Sequence, residues 1–246
     1  MTPGSKFRIV AALAVLACAM NARNALAYRP FDGTDAAVAG PAETEIELGP
    51  VGYLVESSRS VVAPALVYNY GFADRWEAVL EGQGEHPVSG PSRSSTIVGN
   101  GAFLKGVLRD GVLQDRPGPS VATEFGLLLP GFNDEPGLGA SLAGIVSNRW
   151  QGLTVHLNAS LSVSRAGNPD LFLGAILEGP WDWTVRPVAE VFYERQWSVS
   201  EIQSALVGAI WHSGSGPEYD AAVRTATESG RHTAEFRAGV TFGFAG

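Results

Sequence analysis

The sequence has 246 residues, of which 45% are hydrophobic and 30 are glycine, and its formal net charge is −8. A balance of 25 acidic against 17 basic residues argues against nucleic-acid binding, because there is no basic stripe to meet phosphates. Beyond the first residues no apolar run is long enough to cross a membrane as a helix, which excludes a helical membrane protein.

Residues 1–27 are predicted to be a cleaved signal peptide. Lys6 and Arg8 form a short basic region, and residues 9–19 form an apolar core that is too short to span a bilayer. Residues 25–27 then provide a small-x-small cleavage site. The protein is therefore expected to be secreted through the inner membrane.

Cleavage after Ala27 would make Tyr28 the first mature residue and would remove the only cysteine, Cys18. Three of the 17 basic residues and none of the 25 acidic ones would go with it, which leaves 14 basic residues and a net charge of −11. No disulfide, thiol nucleophile or Cys-ligated metal would then remain. The alternative is lipidation of Cys18, because residues 15–18 loosely resemble a lipobox.

The mature chain is predicted to be all-β. Residues 28–41 are irregular and are expected to lie in the periplasm, whereas residues 42–246 form one domain of short alternating segments separated by Gly, Pro, Asp and Asn turns. The predicted strands are 43–55, 61–70, 75–83, 97–109, 120–129, 138–147, 153–163, 170–178, 183–194, 200–211, 218–227 and 234–244. Twelve is an even number, so both termini return to the same side.

Two strands favour a membrane barrel most clearly. In residues 153–163 every odd position is apolar and every even position is polar, and side chains alternate faces along a strand. A soluble sandwich could show the same pattern. The strand 234–244, however, ends in Phe242 and Phe244, which resembles the signal that the outer-membrane insertion machinery recognises. We therefore predict an antiparallel transmembrane β-barrel of about twelve strands in the bacterial outer membrane, in contact with its lipid.

The connections are assigned to the two sides of the membrane from the strand count. The turns at 71–74, 148–152 and 179–182 are expected to be periplasmic, and the loops at 85–95, 130–137 and 195–199 are expected to face outward. Tryptophans near strand ends suit an aromatic girdle at the headgroup level, although a sandwich could also place them there. They are Trp76, Trp150, Trp181, Trp183, Trp197 and Trp211.

Several short pieces resemble a bacterial outer-membrane family that is named after the phenol meta-cleavage degradation pathway. Residues 29–36, with Pro41 and the acidic alternation of residues 43–47, look like the start of that family, and residues 70–77 resemble its first tight hairpin. The pairs at 104–105 and 129–130 are also similar. The resemblance implies a barrel associated with uptake of small organic compounds, without a catalytic residue or a particular ligand.

Polar residues on the inward faces are the candidate site. The residues predicted to line the lumen or bind a ligand are Glu77, Glu81, Lys105, Arg109, Glu124, His156, Glu178, Arg186, Glu190, Glu194, Arg224, Glu235 and Arg237. One interpretation is a paired wall that holds the barrel's shape and closes it to flux. The other is a passive channel or uptake protein in which the basic residues meet small anionic or aromatic solutes, because Arg binds carboxylates bidentately and stacks on rings.

Catalytic and metal chemistry have weaker support. The neighbours His212 and Ser213 superficially resemble the His-x-Ser of barrel phospholipases, but they fall in a Gly-rich connection that would not hold them in place. A barrel lipid hydrolase is therefore the less favoured alternative, and the prediction is that the protein is not an enzyme. The histidines are scattered, so neither a metal site nor a cofactor is predicted.

Overall fold

The structure is a computed structural model that describes residues 30–56, 58–90, 94–214 and 216–245. The predicted signal peptide, including Cys18, and the expected first mature residue, Tyr28, lie outside these ranges. Twelve strands form one closed barrel in which each strand pairs with its neighbours in the sequence and β1 pairs with β12. All pairings are antiparallel, so the predicted fold class and strand count are confirmed. In these ranges no helix is sufficiently long and apolar to span a bilayer.

The strand bounds follow the sequence prediction closely. The strands are β1 (Thr44–Val55), β2 (Arg59–Ala73), β3 (Trp76–Ser89), β4 (Thr96–Arg109), β5 (Ser120–Leu128), β6 (Gly139–Trp150), β7 (Leu153–Val163), β8 (Pro169–Glu178), β9 (Val185–Gln196), β10 (Ser200–His212), β11 (Glu218–Glu228) and β12 (Arg231–Phe244). A single 3-10 turn, Val112–Gln114, lies in the connection between β4 and β5.

Alternation along the strands separates an apolar outer face from a polar inner face. In β7, Leu157 and Leu161 are 53% and 63% exposed, whereas His156 and Asn158 are buried. The exposed residues can face lipid only if the barrel lies in a membrane, since they would otherwise present a continuous apolar surface to water. The inner wall is the polar surface on which a functional site can form.

One predicted connection needs correction. Residues 85–89 were expected to belong to an outward loop because of their Pro and Gly neighbours, but they continue β3, and Glu85 pairs with both Val62 and Thr96. Irregularities in the pairing of β2 with β3 accommodate this stretch. The connection after β3 is therefore shorter than predicted.

The two ends of the barrel are defined by the termini. Thr44 at the start of β1 pairs with Phe244 at the end of β12, so both termini lie at one end, which we call the terminal end; the opposite end is the far end. Trp150 and Trp211 are exposed at the terminal end. Phe242 stacks on Phe244 with ring centroids 6.5 Å apart, but Phe242 is only 3% exposed. Their role as an insertion signal stays a prediction.

Candidate functional site in the barrel lumen

Residues 30–42, which we call the lumenal segment, enter the barrel from the terminal end. The amide of Ala42 donates to the carbonyl of Gly71 at that end, and the amide of Asp32 reaches Glu190, which lies halfway along β9. The segment was expected to be irregular and periplasmic. It is irregular, but it lies against the inner wall because that wall supplies the hydrogen-bond acceptors that an extended chain without a strand partner requires.

The deepest part of the segment is held through its backbone. The amides of Asp32 and Gly33 donate to the two carboxylate oxygens of Glu190, at 2.9 and 2.7 Å. Thr34 makes two bonds with Asn158, since its amide donates to Oδ1 and its carbonyl accepts from Nδ2, both at 2.9 Å. Two wall residues therefore satisfy four backbone groups of the segment.

The same arrangement continues towards the terminal end. The amide of Ala36 donates to Ser147 Oγ at 2.9 Å, and the amide of Ala39 donates to Glu77 Oε2 at 2.7 Å. The carbonyl of Ala36 accepts from Gln114 Nε2 at 2.9 Å. Because partners lie on several different strands and a connection, the segment is fixed along its length rather than at one point.

Asp32 makes ionic contacts with the last two strands. Its carboxylate lies 3.0 Å from Arg237 Nη2 and 3.4 Å from Arg224 Nε, and both arginines also contact Glu235, at 2.9 and 3.3 Å. Burial would raise the pKa of Asp32, but the two guanidinium charges and the hydrogen bonds outweigh burial and hold that pKa below its ordinary value. Asp32 is therefore bound as the carboxylate.

Asp35 makes a second ionic contact. Lys105 Nζ lies 3.3 Å from Asp35 Oδ1 and 3.4 Å from Glu77 Oε1, and it also donates to Thr34 Oγ1 at 3.1 Å. Burial would raise the pKa of Asp35, but the Lys105 charge contributes most among the effects that lower it, and the net shift is downward. The only lysine of the predicted mature chain is thus shared between the wall and the segment.

Two side chains of the segment pack into apolar sites of the wall. Phe31 contacts Val188 and Ile210. Ala36 is fully buried in a second cluster with Leu113, Ala122 and Ile145. Apolar anchors at both ends of the charged stretch fix its register, because a shift by one residue would place a charge in an apolar site.

Ser147, which accepts from the Ala36 amide, belongs to a buried relay. Its Oγ lies 2.7 Å from His156 Nδ1, and His156 Nε2 lies 2.9 Å from Glu178 Oε1. Arg186 Nε lies 2.8 Å from the other Glu178 oxygen. The Ser147 hydroxyl therefore lies between the His156 ring and the Ala36 amide, from which it accepts a hydrogen bond. Sequence reasoning missed Ser147 and Asn158, although the complete alternation of 153–163 placed Asn158 on the polar face.

A cavity of about 630 Å³, which we call the chamber, runs beside the lumenal segment and extends to the far end. Its described lining holds more acids than bases, with Lys105, Arg165 and Arg237 as the bases. The acids are Asp32, Asp35, Glu45, Glu47, Glu77, Glu81, Glu124, Glu135, Asp170, Glu194 and Glu235. Arg165 directs its guanidinium to the backbone carbonyls of Leu129 and Asn100, at 2.5 and 2.7 Å. The chamber is therefore acidic.

Most of the predicted lumen residues lie inside the barrel, but they form two groups. Glu81, Glu124 and Glu194 line the chamber. The other members are engaged in the contacts described above; they are Glu77, Lys105, His156, Glu178, Arg186, Glu190, Arg224, Glu235 and Arg237. Each lumenal cation of the predicted anion path contacts a carboxylate. The expectation that they are available to anionic solutes is therefore not supported.

Arg109 is the exception among the predicted lumen residues. It is exposed, and its guanidinium donates to the carbonyl of Pro119 in the connection between β4 and β5. The pairing of β4 with β5 shifts between Val107 and Arg109, so simple alternation does not extend to the last residue of the strand. Placing Arg109 in the lumen was wrong for this reason.

The residues considered for catalysis and metal binding are not brought together. His212 Nδ1 contacts Glu218 at 2.5 Å, whereas Ser213 Oγ donates to the carbonyl of Pro217 at 2.5 Å. In the described part of the chain no group of three or more His, Cys, Asp or Glu side chains has a metal-binding arrangement.

Comparisons with known proteins give the fold. No protein-family model and no curated protein sequence matches the chain. An outer membrane channel from Pseudomonas putida F1 is 12% identical, with 87% of this chain and 99% of that chain covered and a TM-score of 0.59. The NanC porin is 9% identical over 81% and 98%, with a TM-score of 0.57. The KdgM porin in complex with disordered oligogalacturonate is 13% identical over 80% and 98%, with a TM-score of 0.51. The chain thus has the architecture of these outer-membrane barrels.

Proposed function

We propose that the chain is an outer-membrane channel for small solutes whose resting lumen is narrowed by its own lumenal segment and whose remaining path favours cations. The observation that carries this proposal is the position of residues 30–42 inside a closed barrel, next to an acidic chamber of about 630 Å³. Passage requires the segment to move or to leave a narrow path beside it. The exposed apolar outer face supports the location in a membrane.

The charge distribution favours cations over the anionic solutes suggested by the sequence. Lys105 and Arg237 contact carboxylates of both the wall and the segment, and Arg165 donates to backbone carbonyls. The chamber therefore keeps an excess of carboxylates such as Glu81 and Glu124. Charged rings of this kind raise the local concentration of counter-ions and exclude ions of like charge.

The second candidate is a closed barrel without flux, as the paired wall suggested. The many hydrogen bonds between the segment and the wall favour this candidate, because a segment held in the lumen along its length blocks the path for solutes. The likeness to barrels whose descriptions name them channels and porins supports the first candidate. A role in uptake of aromatic compounds and the phenol meta-cleavage family both remain expectations from the resemblance.

Planar-bilayer recording on the refolded mature protein tests the proposal. Folding is first checked by heat-modifiable gel migration. We expect a small conductance and, in a KCl gradient, a reversal potential that indicates preference for K⁺. A folded barrel that carries no current under any condition would favour the closed structural role. Conductance with anion preference would contradict the acidic path, and failure to enter a bilayer would contradict the membrane location.

A further inference from the structure

The contacts of the lumenal segment are those of a bound peptide. We propose that the inner wall is a peptide-binding site that accepts, in trans, an extended peptide with an apolar ring followed by Asp, a second Asp three residues later and then a small residue. This inference goes beyond a channel role, because it concerns recognition and does not depend on flux.

Main-chain recognition is the first argument. Wall side chains accept from five backbone amides of the segment, at Asp32, Gly33, Thr34, Ala36 and Ala39. Two segment carbonyls accept from wall or connection amides, as described above. Hydrogen bonds to the main chain give affinity for any peptide that can adopt this extended conformation, whereas pockets for side chains select among sequences. The wall has both elements.

Side-chain selection is the second argument. The ring of Phe31 packs against Val188 and Ile210. Ala36 is 0% exposed in a cluster with Ala122 and Ile145, so a larger side chain there would have to displace buried neighbours. A side chain at position 33 would also be crowded, because its Cβ would lie 3.1 Å from a Glu190 oxygen and 3.2 Å from Asn158. The peptide must therefore be small at two positions.

Charge complementarity is the third argument. The Glu235 carboxylate contacts both Arg224 and Arg237. The three side chains together carry one positive charge. Asp32 neutralises that charge, with three N···O contacts of 3.0 to 3.4 Å to the two arginines. A buried cationic site without its anion is costly, so the wall favours a ligand that brings a carboxylate to this point.

None of these contacts requires that the peptide be part of the same chain. The covalent connection at β1 keeps the lumenal segment at a high effective concentration, in the millimolar range for short tethers. A free peptide therefore competes only weakly with the intact segment and binds well when the tethered copy is weakened. This predicts a measurable exchange between the tethered and the free peptide.

The experiment uses the full mature chain with the substitutions Phe31→Ala and Asp32→Asn, which weaken the tethered copy. A fluorescent synthetic peptide with the sequence of residues 30–42 is titrated with the refolded barrel, and anisotropy reports binding. Release of the tethered segment is measured separately as maleimide labelling of a cysteine introduced by Ala37→Cys. We expect fast labelling and at least tenfold tighter peptide binding than in the barrel with the native segment, which competes.

Two controls test the specificity. A scrambled peptide of equal composition should bind at least tenfold more weakly than the native peptide. Adding Arg237→Gln to the barrel should weaken the native peptide more than a peptide with Asp32→Asn, because both substitutions remove the Arg237–Asp32 contact, whereas the bond from Arg237 to the Pro30 carbonyl is lost with either peptide. This coupling separates recognition in the lumen from adhesion to the apolar outer face.

The proposal is overturned by any of three results. The first is equal binding of native and scrambled peptides, and the second is no binding to a folded barrel whose introduced cysteine labels fast. The third is slow labelling of that cysteine, because Phe31 and Asp32 would then not be the contacts that hold the segment. Since no current is measured, a barrel that binds the peptide but does not conduct would refute only the proposed channel function.

Discussion

The terminal half and the far half of the lumen use their charges differently. In the terminal half Lys105 lies between Asp35 of the segment and Glu77 of the wall, so the segment completes the pairing. In the far half the chamber has an excess of carboxylates, including Glu135 and Glu194. The first arrangement fixes a chain in place, whereas the second acts on mobile ions. One polar wall thus combines a structural region with a region suited to permeation.

Removing the cation of the terminal half should have the largest effect. The substitution Lys105→Met leaves Asp35 and Glu77 buried without their shared ammonium, and breaking a buried pair in this way typically costs about 3–5 kcal/mol of unfolding free energy. Urea titration of the folded barrel in lipid or detergent measures the loss. The double variant Lys105→Met, Glu77→Gln should recover part of it. A loss below about 1 kcal/mol would mean that the pairing is not structural.

Displacing the segment where it enters the barrel should change conductance next. A Cβ at Gly71 would overlap the carbonyl oxygens of Ala39 and Gly40, so Gly71→Ala must move the segment away from the wall. Because the segment then loses its entry contacts with the wall, we expect it to leave the lumen, which widens the path and raises the conductance roughly several-fold. The matched control is Gly144→Ala, where a Cβ meets nothing within 4 Å. Equal conductance of the two variants would mean that the segment does not limit flux.

Neutralising the far half should alter selectivity without altering stability. In the double variant Glu135→Gln, Glu194→Gln, we expect the ratio of K⁺ to Cl⁻ permeability to fall by roughly half, since two of the chamber carboxylates are lost. Reversal potentials in a KCl gradient measure the ratio. The control is Glu201→Gln, because Glu201 is exposed and does not line the chamber. An unchanged ratio would leave the acidic chamber without a role in permeation.

Acid should loosen the terminal half only at low pH, which is the smallest effect we expect. The pKa values of Asp32 and Asp35 are lowered in the docked segment, so their ionic contacts contribute fully above the ordinary pKa of 3.8 and are lost as the pH falls through the lowered values. Maleimide labelling of Ala37→Cys should therefore be constant from neutral pH to about pH 4 when corrected for the reagent's own pH dependence. Release that begins near pH 6 would mean that a titratable group other than Asp32 and Asp35 controls the release of the segment.

The strands could be predicted from the sequence because alternation is a local signal. The bounds of β7 were predicted to the residue, since all eleven positions alternate and one face must be apolar. The lumenal segment could not be predicted in this way. Its wall partners for backbone bonds lie 29 to 207 residues away, from Gly71 with Ala42 to Arg237 with Pro30, so no local pattern reports them. Arg109 was misplaced because one irregularity in pairing changes which side of the wall a residue occupies.

The site predictions failed at a related point. Alternation identified which charged residues face inward, but it could not say which charges meet. The residues that neutralise Arg224 and Arg237 include Asp32, which lies in a stretch without periodicity. The available signal was that acidic residues precede a barrel whose interior holds several cations. Matching those acids to the inward cations would have suggested that the two groups meet.

The position of Asp32 also bears on how the barrel is assembled. Asp32 precedes the first strand of the barrel, whereas its partner Arg237 belongs to β12, the last strand. Its ionic site therefore does not exist until β12 has joined β1 and the sheet is closed. Docking of Asp32 therefore reports that β12 is in place, and a barrel that lacks β12 would leave the lumenal segment without this ionic contact.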